Sequence, residues 1–230
     1  MTGILYGVGV GPGDPELMTL KAVRLIKEND IIALPGAEPK KTAAYQIAAG
    51  AVPELADKQL ISIYMPMTND KEEQRKWHQK GAEIVEAYLK EGKNVVYLTL
   101  GDPTVYSTFT YIQRIVEERG FQTQLISAVP SFCAAAARAN MPLSIWNENI
   151  HIFPAMHNLK EDMPETGTCV LMKSGSKLKQ VKEIIKKSGR DAVMVENCGM
   201  QKEQVYLHVD EIPDTAGYYS LIIAKEAERK

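Results

Sequence analysis

Short runs of apolar, β-branched residues alternate along this chain with stretches whose apolar positions recur at helical spacing, the pattern of an α/β fold. Residues 4–10 read as a first strand. Gly11-Pro12-Gly13-Asp14-Pro15 ends it, because proline continues neither a ladder nor a helix and clustered glycines mark a loop. Residues 19–26 then place apolar side chains at helical intervals, and residues 30–34 read as a second, fully buried strand. From Asp70 to Glu91 a long charged segment carries Ala82, Val85 and Leu89 on one helical face, and Gly92 supplies its stop. Residues 94–100 form the next strand, which runs into the loop Gly101-Asp102-Pro103. The loop lies at a strand's C-terminal end, the edge at which open α/β sheets bind ligands.

A helix is expected over residues 107–119, closed by Gly120, and the boundary between two halves is placed there, giving domains 1–120 and 121–230. The second half is read as a strand over 122–126, a helix over 131–138, and strands near His151, Val170, Val193 and Ile222. Little helix separates the late strands. The first domain is therefore expected to hold a parallel sheet and the second a mixed one.

With 230 residues, 45% apolar and 24% charged, the chain suits two compact halves with buried cores. A net charge of −2 creates no basic field of the kind that draws proteins to phosphate backbones, so no nucleic-acid partner is expected. The run Lys177, Lys179, Lys182, Lys186, Lys187 and Arg190 is a local exception, read as a solvated helix face. Cys133, Cys169 and Cys198 are widely spaced and odd in number, which argues against a disulfide framework or a thiolate metal site and fits a reducing cytoplasm. The opening residues lack a basic n-region and no apolar run approaches the roughly 20 residues of a bilayer span, so neither secretion nor membrane insertion is expected.

The cluster Gly7-Val8-Gly9-Val10-Gly11-Pro12-Gly13-Asp14 fails as a dinucleotide fingerprint. Counting from Gly7 the third glycine is Pro12, and counting from Gly9 it is Asp14. A Walker A loop is missing too, since Ala87 stands where its first glycine belongs ahead of Gly92-Lys93. The cluster has two readings: a backbone that approaches a flat ligand closely, or a plain strand-to-helix turn. Asp102 also has two, an ion pair with an ammonium group or a cap for the following helix, and the cap is the cheaper. The four histidines, His151 and His157 among them, show no ligand spacing and no triad.

The order of these pieces resembles the tetrapyrrole methylases. Residues 7–22, from Gly7-Val8-Gly9 to Lys21-Ala22, look like the opening motif of that family, and Gly101-Asp102-Pro103 like its second. Val129-Pro130-Ser131-Phe132-Cys133-Ala134, Val170-Leu171-Met172 and Val195-Glu196-Asn197-Cys198-Gly199-Met200 follow in the expected order, so the resemblance spans the chain. The forms Gly-Asp-Pro-Thr-Val-Tyr-Ser-Thr-Phe and Pro-Ser-Phe-Cys-Ala-Ala-Ala-Ala look most like the branch that methylates C-20 of precorrin-2 or cobalt-factor II. Other branches methylate other tetrapyrrole positions, uroporphyrinogen, a modified histidine of elongation factor or RNA ribose. The resemblance implies an S-adenosylmethionine-dependent C-methyltransferase of cobalamin biosynthesis with an acidic tetrapyrrole substrate. It also implies two α/β domains with the co-substrate in the cleft between them, and a homodimer. Carried over by motif, Pro12, Leu100, Gly101, Asp102, Val105, Pro130, Ser131 and Met172 would line the S-adenosylmethionine site, with Cys198 and Gly199 at its far wall. No catalytic base and no metal ligand is assigned. A non-catalytic binding protein remains an alternative. Two departures stand out: Ala128-Val129 occupies the place of a usual glycine, and Cys198 displaces the glycine that follows Glu196-Asn197.

Overall fold

The computed structural model describes residues 2–66, 68–154, 163–173 and 177–226. It divides into two compact units, Met1–Pro130 and Ser131–Lys230.

In the first unit β1 (Ile4–Gly9), β2 (Ile31–Pro35), β3 (Gln59–Ile63), β4 (Val95–Thr99) and β5 (Gln122–Ile126) form one sheet in the order β3-β2-β4-β1-β5. Every pairing is parallel. Four helices connect these strands: α1 (Leu20–Glu28), α2 (Ala43–Ala51), α3 (Lys71–Lys90) and α4 (Phe109–Glu118). Thr19, Thr42 and Asp70 cap the first three by accepting from Ala22 N, Tyr45 N, and the amides of Glu72 and Glu73. Gly92 and Gly120 take positive φ of 77° and 85° just beyond α3 and α4, as the helix stops require.

The stripe Ala82, Val85 and Leu89 of α3 joins Phe109, Ile112 and Val116 of α4 over Leu5, Ile31, Ile63, Val95 and Tyr97 on one face of the sheet. The alternate residues Ile32, Leu34, Val96 and Leu98 are fully buried as well, so both faces are covered, as in a parallel sheet. The hydrophobic pattern made no assignment over α2 and β3. The first is apolar around most of its circumference, and the second is a short edge strand with one of its five residues exposed and two partly so.

In the second unit β6 (Ile150–Pro154), β7 (Thr168–Met172), β8 (Arg190–Glu196), β9 (Gln204–Tyr206) and β10 (Ser220–Glu226) are ordered β6-β7-β10-β8-β9. Only β6 and β7 run parallel; β10 is antiparallel to β7 and β8, and β9 to β8. The sheet is mixed, as expected from strands with little helix between them. α5 (Ser131–Arg138) sets Ala135 and Ala136 against Val170, Val195, Leu221 and Ile223, while α6 (Leu178–Lys187) sets Leu178, Val181 and Ile185 against Cys169, Leu171, Met194 and Ile222. The strand alternation thus divides between two helices.

The expected boundary at Gly120 is displaced to Pro130–Ser131. β5 is no part of the second sheet, because it pairs with β1 from Ile4↔Gln122 to Val8↔Ile126. The helix stop at Gly120 ends an element without ending a domain.

Candidate active site

Topology marks one place in the first sheet. The connection leaving β1 passes β4 to reach β2, while the connection leaving β4 passes β1 in the opposite direction to reach β5. The C-terminal ends of β1 and β4 are therefore a switch point, where diverging connections leave a crevice for a ligand. Both glycine motifs emerge there. Gly11 and Gly101 form an isolated bridge in which Gly101 N donates to Gly11 O at 2.8 Å and Gly11 N to Gly101 O at 3.3 Å. Val10 N adds a bond to Thr99 O at 3.0 Å.

The glycines serve this junction. A Cβ on Gly9 would lie 2.5 Å from Gly101 O, 2.6 Å from the Ala128 Cβ and 2.8 Å from Pro103 Cδ, and one on Gly7 would lie 2.2 Å from the Phe109 ring. Their bareness admits the protein's own backbone and helix α4, so neither a ligand approach nor a plain turn describes these two. Gly101 differs. It has φ +71° and nothing within 4 Å of where a Cβ would stand, so that side of the loop is open.

Asp102 is buried, 4% exposed, and among the described residues it neither pairs with an ammonium group nor caps α4. One carboxylate oxygen accepts from Thr104 N at 2.8 Å and Thr104 Oγ1, and the other from Ser127 Oγ and Ala128 N, each at 2.6 Å. Burial alone would raise its pKa. The donors from Ser127, Thr104 and the two amides outweigh burial and hold it below the ordinary carboxylate value. Asp102 thus latches the loop after β4 to the loop after β5, a contact that sequence reasoning missed. Ser127 had no signal of its own beyond standing just ahead of the Val129-Pro130 motif. The same latch accounts for the missing glycine: Ala128 places its methyl group in the space that Gly9 leaves.

Around this junction the first unit gathers Pro12, next to the Gly11 bridge, half-buried Leu100, Gly101, Asp102, and Val105, whose amide closes a turn onto Asp102 O at 3.2 Å. Thr99 Oγ1 and Ser107 Oγ, 3.0 Å apart, close the base of the loop. Pro130 ends the unit, on the segment held by Asp102.

In the second unit Ser131 opens α5, Met172 ends β7, and Cys198 and Gly199 lie in the turn after β8. β10 stands between β7 and β8, so Met172 and that turn are two strand spacings apart, about 10 Å. Gly199 N donates to Glu203 Oε2 at 2.7 Å, and Glu203 also holds Arg138 of α5 at 2.5 Å. Asn197 and Gly199 have φ of 51° and 72°. The displaced glycine is thereby explained: asparagine tolerates the first left-handed position and glycine takes the second.

Lys182 donates to Ile212 O and pairs with Asp214 at 3.1 Å, Lys186 pairs with Asp210, and buried Arg190 donates to the carbonyls of Gly167 and Pro164. Lys177, Lys179, Lys186 and Lys187 are exposed as the expected solvated face, whereas Lys182 is half-buried and Arg190 buried. His151 lies at 3.2 Å from Thr166 O, and His157 falls outside the described residues. Among the described residues no cysteine forms a disulfide, no three His, Cys, Asp or Glu converge, and no helix is long and apolar enough to cross a membrane.

Two α/β units, the first a parallel sheet with glycine loops bridged across its switch point and lacking both nucleotide fingerprints, make up the fold. The model of the Tetrapyrrole (Corrin/Porphyrin) Methylases matches residues 4–213, and the chain belongs to that family. It is 34% identical to a protein of Methanocaldococcus jannaschii named probable cobalt-precorrin-2 C(20)-methyltransferase, over 98% of this chain and 97% of the relative. It is 28% identical to the cobalt-precorrin-2 C(20)-methyltransferase of Salmonella typhimurium, over 98% of each. Uroporphyrin-III-C-methyltransferase from Thermus thermophilus shares the fold, with a TM-score of 0.72 at 20% identity, covering 98% of this chain and 93% of that one.

Proposed function

We propose that this protein transfers the methyl group of S-adenosylmethionine to C-20 of precorrin-2 or cobalt-precorrin-2 in cobalamin biosynthesis. The observation that carries this reading is full-length similarity to relatives named for that reaction, at 34% identity for one and 28% for the other. Pro12, Leu100, Gly101, Val105, Pro130, Ser131, Met172, Cys198 and Gly199 are the proposed S-adenosylmethionine contacts. The first unit fits such a ligand, because Gly101 leaves open space at the switch point and half-buried Leu100 and Val105 flank it. Asp102 belongs to the site as the residue that fixes loop geometry, since internal donors already occupy both of its oxygens.

The chemistry asks mainly for positioning. In the transfer the methyl–sulfur bond breaks and a carbon–carbon bond forms; the electron pair stays with sulfur as a neutral thioether, and the ring carbon then loses a proton. Holding the two carbons in line can supply on the order of 7–11 kcal/mol of the barrier, and the doubly bridged glycine loops are suited to that role. The protein contributes no nucleophile. The same reading includes a homodimer acting in the cytoplasm, for which sedimentation of the purified protein is the direct check.

Methylation of RNA ribose is disfavoured by the pairing of Lys182 with Asp214 and of Lys186 with Asp210, which offsets part of the basic charge it would need. The purified protein, incubated without oxygen with methyl-labelled S-adenosylmethionine and, separately, precorrin-2, cobalt-precorrin-2 and ribosomal RNA, is expected to label a tetrapyrrole at C-20. Label only in RNA, at another ring position, or nowhere would overturn the reading.

A further inference from the structure

Among the described residues, one cation at the end of the second sheet, Lys173, meets no carboxylate. β7 and β8 both flank β10, with Leu221 opposite Met172 and Ser220 opposite Glu196. One residue beyond Met172, Lys173 is level with Ser220 and Glu196, and one row further out Tyr219 is level with Asn197, whose N donates to Tyr219 O at 3.0 Å. Lys173 and Asn197 both have left-handed backbones, with φ of 58° and 51°. A left-handed lysine is unfavourable and has none of asparagine's local compensation, and such strain gathers at functional positions.

Lys173 Nζ lies 5.7 Å from the centroid of the Tyr218 ring. Tyr218 and Tyr219 meet edge to face at 5.4 Å and 79°, yet remain 51% and 41% exposed. Lys182, Lys186 and Lys225 of the same unit each pair with a carboxylate, whereas among the described residues Lys173 meets the aromatic ring and no carboxylate. An ammonium group with donors to spare beside two half-exposed aromatic faces is complementary to a flat, apolar ring bearing carboxylates at its rim. All three residues lie at the same strand ends as Met172.

We infer that Lys173, Tyr218 and Tyr219 form a subsite for the tetrapyrrole, Lys173 pairing with a peripheral carboxylate and the tyrosines covering part of the macrocycle edge. The inference rests on the tetrapyrrole reading and adds to it the residues that grip the substrate. Lys173 is a binding residue, outside the methyl transfer itself.

The test compares wild type, Lys173→Met, Lys173→Arg and Lys173→Gly in three measurements: steady-state kinetics on the tetrapyrrole that wild type methylates, calorimetric binding of S-adenosylmethionine, and absorbance titration with uroporphyrin, a stable polycarboxylate. Lys173→Met is expected to raise KM and the uroporphyrin Kd about tenfold, the weight of one charge-assisted contact, with kcat and S-adenosylmethionine affinity unchanged. Lys173→Arg recovers binding. Lys173→Gly suits the left-handed backbone and is expected to melt no lower than wild type while binding uroporphyrin as poorly as the methionine variant, which separates a substrate contact from a folding role. Unchanged KM and Kd in the methionine and glycine variants would overturn the subsite. A wild type that methylates neither tetrapyrrole, with uroporphyrin binding still dependent on Lys173, would overturn the proposed reaction and uphold the subsite.

Discussion

At the end of β4 a buried carboxylate fastens two loops, while at the end of β8 the same task falls to two half-buried glutamates. Asp102 accepts from Thr104, Ser127 and Ala128 in the first unit. In the second, Glu203 accepts from Arg138 and Gly199, and Glu196 from Gly217. The first edge carries a bond network shielded from water and glycines with no room for a methyl group. The second uses bonds partly open to solvent and left-handed residues. A buried charge surrounded by donors is rigid because each donor it loses leaves an uncompensated group, whereas a solvated one can exchange partners with water. The parallel edge is therefore the rigid one of the two and the mixed edge the adaptable one.

The sharpest way to break this contrast is Gly9→Ala. Its methyl group would collide with the Gly101 carbonyl and Ala128. We expect about 3 kcal/mol of lost stability from overpacking and about a hundredfold loss of turnover, the scale of a roughly 1 Å misplacement, read by denaturant unfolding and single-turnover assay. Wild-type values would show that the loops are not interlocked. Asp102→Asn comes next, at about 2 kcal/mol, because the amide cannot accept at both oxygens.

The acid dependence of that variant sharpens the assignment. The folded-state pKa of Asp102 lies below its unfolded value, so its stabilisation is complete above about pH 4 and is lost as pH falls through the folded pKa. The gap in unfolding free energy between wild type and Asp102→Asn should therefore shrink on acidification from pH 5. A gap constant across that range would show that the charge contributes nothing.

Glu203→Gln at the mixed edge should cost less, about 1 kcal/mol, since one oxygen can still accept from Gly199. A cost equal to that of Asp102→Asn would erase the distinction between the edges. The smallest effect is expected from Lys182→Ala with Lys186→Ala. The pair should lose under about 1 kcal/mol and leave C-20 methylation intact, and a collapse of activity would point back to a basic binding face.

Much of the first unit was legible in the hydrophobic pattern. The strand ending in Gly11-Pro12, the charged helix stopped by Gly92 and the strand ending in Gly101-Asp102 lie within a residue or so of their expected limits, because local periodicity and glycine or proline stops suffice to mark them. β5 was placed in the wrong half because a strand's partners are set by pairing over long sequence separations, which no local pattern encodes. The roles of Gly7 and Gly9 were misread for the same reason, since the Phe109 ring and the Gly101 carbonyl are distant in sequence.

The sequence by itself determined the alternation of strands and helices, the two loops at strand ends and the family motifs they carry. These are properties of a few neighbouring residues, in which side-chain period and backbone freedom act locally. Only the tertiary structure decided that those loops meet at the switch point, that Asp102 spends its charge on Ser127 and Ala128, and that Lys182 and Lys186 are paired while Lys173 faces an aromatic ring. Each of these depends on which distant groups the folded sheets bring within a few ångströms, and hydrogen bonds and ion pairs act only over that range.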